Sequence, residues 1–348
     1  MTQTVAVPLW LLILILAFAA VTFASHFLLP SVRWFFRRRM EKAVAQLNQR
    51  LQRPIAPFKL LERNDRILRL VYDRAVLDAV VAHARATGVP EAVAMQQARR
   101  HAREIVPGFS ATLYFGVAVR LARWITRLFY TVRVEAPGDS VLRAIDPQAT
   151  VVFVMNHRSN MDYVLVTWLV SERMTLSYAV GEWARVWPLA PLIRAMGAYF
   201  IRRKRFDALY RAVLCRYVQM ATAEGVSQAI FPEGGLSLDG RVGTPKVGLI
   251  GDILEGFRAN PVRDVVFVPV GLNYEQVLED RVLTAAAAAG VRRFRARPLA
   301  ILGFALRIGA RAATGRFAGF GMVAARFGAP QSLRAAIAAE PALTAVDL

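Results

Sequence analysis

Apolar and polar positions follow three successive patterns along the chain. From Pro8 to Leu29 the run PLWLLILILAFAAVTFASHFLL is apolar almost throughout, and from Met1 to Val32 there is no Asp, Glu, Lys or Arg. A helix that crosses a hydrocarbon core about 30 Å thick needs about 20 such residues. Residues 1–32 are therefore expected to form an N-terminal transmembrane anchor. A secretory signal peptide competes with that reading, but it calls for a basic start and a small-residue cleavage site, and MTQTVAV carries no charge.

From 33 to 130 a basic juxtamembrane stretch leads into apolar residues that recur every three to four positions. LLERNDRILRLVYDRAVLDAVVAHARA reads as amphipathic helix, as does GVPEAVAMQQARRHAREIVPG, where Pro90 precedes a run of helix formers and Pro107-Gly108 closes it. FSATLYFGVAVRLARWITRLFY puts Arg120, Arg123 and Arg127 on one helical face, which suits either a membrane surface or a core helix with a solvated stripe. His83 and His101 fall inside these helices and read as structural. After Glu135-Ala136-Pro137-Gly138 the period changes. TVVFVM (150–155), TLSYAV (175–180), SQAIF (227–231) and DVVFVPVGL (264–272) are short apolar runs separated by helical stretches. Strands alternating with helices predict an α/β fold over 131–340, with a mostly parallel or mixed sheet flanked by helices and functional groups gathered at the strand ends. The expected order is thus anchor, helical region and α/β domain.

Composition narrows the choice of partner. The 348 residues include 45 basic and 25 acidic side chains, a net charge of +20, and 55% are apolar, with 20 Phe and 6 Trp, so the chain is not disordered. Such a charge implies a polyanionic partner, either nucleic acid or the anionic face of a membrane. Arg33, Arg37, Arg38, Arg39 and Lys42 follow the apolar run beside Trp34, Phe35 and Phe36. By the positive-inside rule this predicts a single-pass protein of the cell (inner) membrane with its body on the cytoplasmic side. Between Arg292 and Phe317 an apolar stretch flanked by arginines reads as a further interfacial segment. Basic residues placed beside apolar segments suit a phospholipid surface better than nucleic acid. Cys215 is the single cysteine and there are four histidines, so neither a disulfide framework nor a cysteine-based or polyhistidine metal site is expected, and nothing in the chain calls for a metal or organic cofactor.

The chemistry concentrates where the predicted strands end. TVVFVM leads into Asn156-His157-Arg158-Ser159-Asn160-Met161-Asp162, a histidine and a carboxylate at His-x4-Asp spacing, with a Ser-x-x-Asp box opening a helix. A carboxylate that accepts one ring N–H leaves the other nitrogen free to take a proton, although Asp162 could equally serve as a helix cap. The chain has neither a G-x-S-x-G elbow nor a phosphate-binding G-x4-G-K-[ST] loop, so any hydroxyl to be activated belongs to the substrate. Gly197-Ala198-Tyr199-Phe200-Ile201 runs into Arg202-Arg203-Lys204-Arg205, suited to phosphate or simply solvated. Phe231-Pro232-Glu233-Gly234-Gly235 sets a carboxylate on a glycine turn, and Val268-Pro269-Val270-Gly271-Leu272-Asn273-Tyr274-Glu275 interrupts a strand with proline.

In order and spacing these four blocks resemble the glycerophospholipid acyltransferases, specifically their glycerol-3-phosphate and dihydroxyacetone-phosphate branch, over roughly 110–335. The resemblance implies that His157 is the catalytic base, with Asp162 as its partner. Arg158 after the histidine looks like the glycerol-3-phosphate branch, since glutamine is usual in the lysophosphatidate branch. The implied binding set begins with Arg158 and Ser159, adds Arg202 and Arg203 for the acceptor phosphate, and continues with Glu233, Gly234 and Ser237 and the fourth-block Pro269. Where the family commonly has Arg, Ser and Arg in the third block, this chain has Leu236, Ser237 and Leu238, so the phosphate must fall to Arg202, Arg203, Arg241 or Lys246. VAARFGAP at 323–330 resembles the family's closing strand and turn. The implied partners are acyl-CoA or acyl-carrier protein as donor, glycerol-3-phosphate as acceptor and membrane phospholipid, with no nucleic acid. Lysophosphatidate is the alternative acceptor. A non-catalytic basic protein that binds membrane or nucleic acid would explain the charge, but not the four blocks in register.

Overall fold

In the computed structural model the described residues are 8, 10, 38–39, 42–135, 138–181, 189–202, 207–290, 303, 306–308, 310–311, 314 and 317–340. The chain divides into two units, Met1–Arg50 and Leu51–Leu348. In the first, the described residues include a helix over 42–50. Among the described residues no helix is long and apolar enough to cross a membrane. The expected single-pass anchor, and the inner-membrane localisation that rested on it, are corrected on that finding. Apart from Pro8 and Trp10, the 1–32 run lies outside the described residues, as does most of 292–317.

In the second unit the described helices before the sheet include α1 (Arg63–Val71), α2 (Arg74–Thr87) and α3 (Glu91–Ile105). The helical period read across 60–86 breaks at Asp73, whose extended backbone and side chain, accepting from Ala75 N at 3.0 Å, cap α2. Gly88, at φ 70°, ends that helix, and Pro90 stands at the N-cap of α3. A π-turn at Tyr114–Ala118 then leads into α4 (Val119–Phe129). Arg123 and Arg127 of α4 lie over the Trp168 ring at 5.9 and 5.5 Å, so part of the arginine stripe packs within the domain.

Among the described residues eight strands form one sheet: β1 (Thr131–Glu135), β2 (Thr150–Met155), β3 (Ser177–Gly181), β4 (Tyr199–Ile201), β5 (Gln228–Ile230), β6 (Val265–Tyr274), β7 (Met322–Phe327) and β8 (Gln331–Ser332). Their order is β1-β7-β6-β2-β5-β3-β4, with β8 on β6. The five strands from β6 to β4 are parallel, and β7 and β8 run antiparallel to β6. This is the expected mixed, mostly parallel α/β sheet. Interleaved with it are α5 (Met161–Val170), α6 (Ala208–Ala223), α7 (Gly248–Ala259) and α8 (Asp280–Ala288). Two cores sandwich the sheet. Val152 and Ile230 face one that includes residues of α1, α2, α3, α6 and α7, while Val151, Phe153 and Met155 face another that includes α5. The alternation along β2 is the two-residue pleat, and burying each such side chain contributes about 1.5–3 kcal/mol.

Pro269 sits where β7 hands over to β8 along β6: Val270 pairs with Phe327 and Phe267 with Gln331. Its carbonyl accepts from Gly328 N at 2.7 Å. Its missing N–H therefore falls at the gap between the two strands, the kind of place a sheet tolerates proline.

Lys59 is 2% exposed, donates from Nζ to Leu176 O at 2.8 Å and lies over the Phe109 ring at 4.5 Å. Burial, with Arg66 as a lesser cause, pushes its ammonium well below 10.5. Between that depressed value and 10.5 the unfolded chain binds more protons than the folded one, so stability rises with pH across this window. Lys59→Met removes that slope, and urea unfolding at pH 7 and pH 9 should show the parent gaining stability relative to the variant.

Candidate active site

The chain leaves β2 directly into the loop that carries His157, and α5 begins four residues later at Met161. Asp162, in the first turn of α5, is fully buried, and His157 is 3% exposed. His157 Nδ1 lies 2.9 Å from Asp162 Oδ2. The same oxygen accepts from Arg158 N at 2.7 Å and from Ser159 N at 3.0 Å, while Oδ1 accepts from the Tyr274 hydroxyl at 2.7 Å. Asp162 thus ties the loop before α5 to the histidine, and the helix itself has Asn160 at its N-cap without a side-chain cap bond. Backbone N–H groups can only donate, so the carboxylate acts as acceptor throughout. Nδ1 therefore carries the hydrogen shared with Asp162, and the Nε2 lone pair is left free. Burial first, and then the Asp162 charge, push the Tyr274 phenol above its ordinary value, which keeps its proton available to the carboxylate.

The imidazole is held on both sides. Phe231, just past β5, stacks on it with centroids 4.1 Å apart, and Tyr163 meets it edge-on at 5.4 Å. Glu233 joins two loops: His157 N donates to its Oε1 at 2.9 Å and Gly243 N to its Oε2 at 3.2 Å. Ser237 N donates to His157 O at 2.9 Å, and the Ser237 hydroxyl to Arg241 O at 2.7 Å. Gly234 turns the chain at φ 65°, a backbone conformation that favours glycine, and a Cβ there would meet only the flexible Lys246 side chain. Beside this loop lies a cavity of about 340 Å³ bordered by Glu233, Leu236, Ser237, Leu238, Arg241 and Ala287. The half-buried Arg158 reaches the same loop, its Nη1 being 3.6 Å from where a Gly240 Cβ would stand. Its Nε and Nη1 are buried without a hydrogen-bond partner among the described residues.

His157, Ser159, Asp162, Glu233, Gly234 and Ser237 are thus joined by contacts around the ends of the adjacent strands β2 and β5. Arg202 is placed differently. It follows β4, three strands from β2, about 14 Å away along the sheet at the usual spacing of about 4.8 Å. Its Nε and Nη2 donate to Glu104 of α3 at 2.8 and 2.6 Å. Arg203 lies outside the described residues. Pro269 sits within β6, level with Val154 of β2. Glu279, just before α8, was not anticipated. It accepts from the Ser159 hydroxyl at 2.7 Å and from Asn160 N and Nδ2 at 3.2 and 3.0 Å. Tyr274 lies inside the fourth block and Phe231 at the head of the third, and neither carried a predicted role.

Residues 133–273 match the acyltransferase family model. The chain carries an acyltransferase-family domain. That domain is similar to curated glycerol-3-phosphate acyltransferases: 30% identical over 241 residues to that of Shewanella loihica, covering 68% of this chain and 30% of the relative. It is likewise 30% identical over 245 residues to that of Xanthomonas campestris pv. campestris, covering 70% of this chain and 27% of the relative. The chain thus spans less than a third of the length of the curated relatives it matches. Among solved structures it is similar to the 1-acyl-sn-glycerophosphate acyltransferase PlsC of Thermotoga maritima, at 17% identity and a TM-score of 0.37, over 64% of this chain and 68% of that one. The acyltransferase domain holds the His157–Asp162 pair, the Glu233 turn and Pro269 within its matched range.

Proposed function

We propose that the domain transfers a fatty acyl group from acyl-CoA or acyl-carrier protein to the primary hydroxyl of glycerol-3-phosphate. The observation that carries this reading is the buried contact of His157 Nδ1 with Asp162 Oδ2 at 2.9 Å, on a carboxylate otherwise bound only by donors. Nε2 of His157 takes the acceptor's hydroxyl proton as that oxygen attacks the thioester carbonyl. The C–O bond forms, the C–S bond breaks, and the leaving thiolate receives the proton from the imidazolium. Asp162 stabilises the imidazolium while it exists. The names of the similar curated proteins favour glycerol-3-phosphate as acceptor.

Arg158 is assigned to the acceptor's phosphate, because its buried donors lack an acceptor and its guanidinium lies against the loop that walls the cavity. With Leu236 and Leu238 in that wall, the loop lacks two of the cations that the resemblance leads one to expect. Steady-state kinetics with glycerol-3-phosphate as the varied acceptor test the reading. The parent should saturate, and Arg158→Ala should raise the acceptor KM about tenfold to a hundredfold, the worth of one hydrogen bond to a charged group, with a smaller change in kcat. An acceptor-independent rate of thioester loss, or an unchanged KM in the variant, contradicts it.

A further inference from the structure

Asp162 has a second side-chain partner, and it comes from a different part of the fold. Tyr274 ends β6, 112 residues along the chain, and its hydroxyl donates to Oδ1 at 2.7 Å, the oxygen turned away from His157. Among the described residues, the side chains hydrogen-bonded to Asp162 are His157 and Tyr274. The tyrosine ring is itself held edge-on by Tyr130 at 5.2 Å. Several other titratable groups face this cluster: Tyr130 after α4, Tyr178 on β3, Glu279 before α8 and Glu233 past β5. Burial pushes both of those phenols up, so they stay neutral. Glu279 is bonded by Ser159 and Asn160, and Glu233 by backbone N–H groups. None of these replaces the hydrogen bond that Tyr274 makes.

We infer that Tyr274 is a positioning residue for the catalytic base: its hydroxyl anchors the free oxygen of Asp162 and so sets both the orientation and the basicity of His157. The inference rests on the general-base reading above. A donor on Oδ1 draws carboxylate charge away from Oδ2, the oxygen against the imidazole. Removing that donor returns charge to Oδ2, which favours the protonated imidazole, and it also frees the carboxylate to rotate. Tyr274 touches the reaction through Asp162, so acceptor binding is not its province.

Tyr274→Phe keeps the ring and its packing and removes only the hydroxyl. Expected is a fall in kcat of about tenfold to a hundredfold, the range for one hydrogen bond to a charged group, because the carboxylate freed to rotate no longer holds the imidazole in line and this outweighs the gain from extra charge on Oδ2, with an acceptor KM within about twofold of the parent. The acid limb of the pH–rate profile should move to higher pH, because a more readily protonated base is silenced earlier as pH falls. The position of that limb does not depend on how much of the variant is folded, so it reports the tyrosine even if the yield of folded protein drops. A limb at the parent's pH, or a kcat within about twofold of it, overturns the inference. His157→Ala measured alongside separates the two claims. If that variant stays active, the base reading has failed; if it is inactive while Tyr274→Phe matches the parent, only the role of Tyr274 has.

Discussion

His157→Ala should retain the fold and lose acyl transfer. The imidazole fills a slot between Phe231 and Tyr163, and its removal leaves untouched the backbone bonds that shape the loop, namely His157 N to Glu233 and Ser237 N to His157 O. What disappears is the one nitrogen in the pair with a lone pair to spare. General-base catalysis is worth about 100- to 10,000-fold, and a hydroxyl is too weakly acidic to attack a thioester at a useful rate without it. The expected result is a rate lower by that factor, with a melting temperature close to the parent's. Thermal unfolding and turnover on one preparation check both halves.

Asp162→Asn should be nearly as damaging, for a different reason. In the best-satisfied arrangement the asparagine oxygen takes the Oδ2 position, facing the Arg158 and Ser159 N–H groups and His157 Nδ1. The amide N–H₂ then faces the Tyr274 hydroxyl, which can turn to accept, so the loop geometry and the tautomer survive. The negative charge does not. Without it the imidazolium formed on proton transfer is no longer stabilised, and the loss is bounded by the same roughly 100- to 10,000-fold that the base supplies. Kinetics at several pH values would show kcat reduced throughout with acceptor KM little changed, since Asp162 is fully buried behind the histidine.

The parts of this architecture visible in the sequence are those where a physical rule acts over a few neighbouring residues. β2, β3, β5 and β6 were legible because a central parallel strand is buried on both faces and must be an apolar run. β1 was not, because Thr131–Glu135 is largely exposed and its arginine and glutamate break the run, and the three residues of β4 are too few to show a period. His157 and Asp162 were legible because they lie five residues apart in the short loop and first helical turn after one strand. Their other supports were not, because the fold brings them from afar: Tyr274 reaches Asp162 across 112 residues and Glu279 reaches Ser159 across 120. Arg202 shows the converse. Its cluster of cations suggested a phosphate site, yet its guanidinium is paired with Glu104, 98 residues away. The apolar run 8–29 satisfied the length rule for a membrane span, and among the described residues no helix does.

The central claim is that this domain acylates glycerol-3-phosphate by way of His157. It is tested most directly by incubating the purified chain with labelled acyl-CoA or acyl-carrier protein and glycerol-3-phosphate, dihydroxyacetone phosphate or lysophosphatidate in separate reactions, and identifying the labelled product. The account predicts labelled 1-acylglycerol-3-phosphate from glycerol-3-phosphate at the highest rate, with none above background from His157→Ala. Label transferred only to another acceptor, or at the parent's rate by His157→Ala, would contradict it.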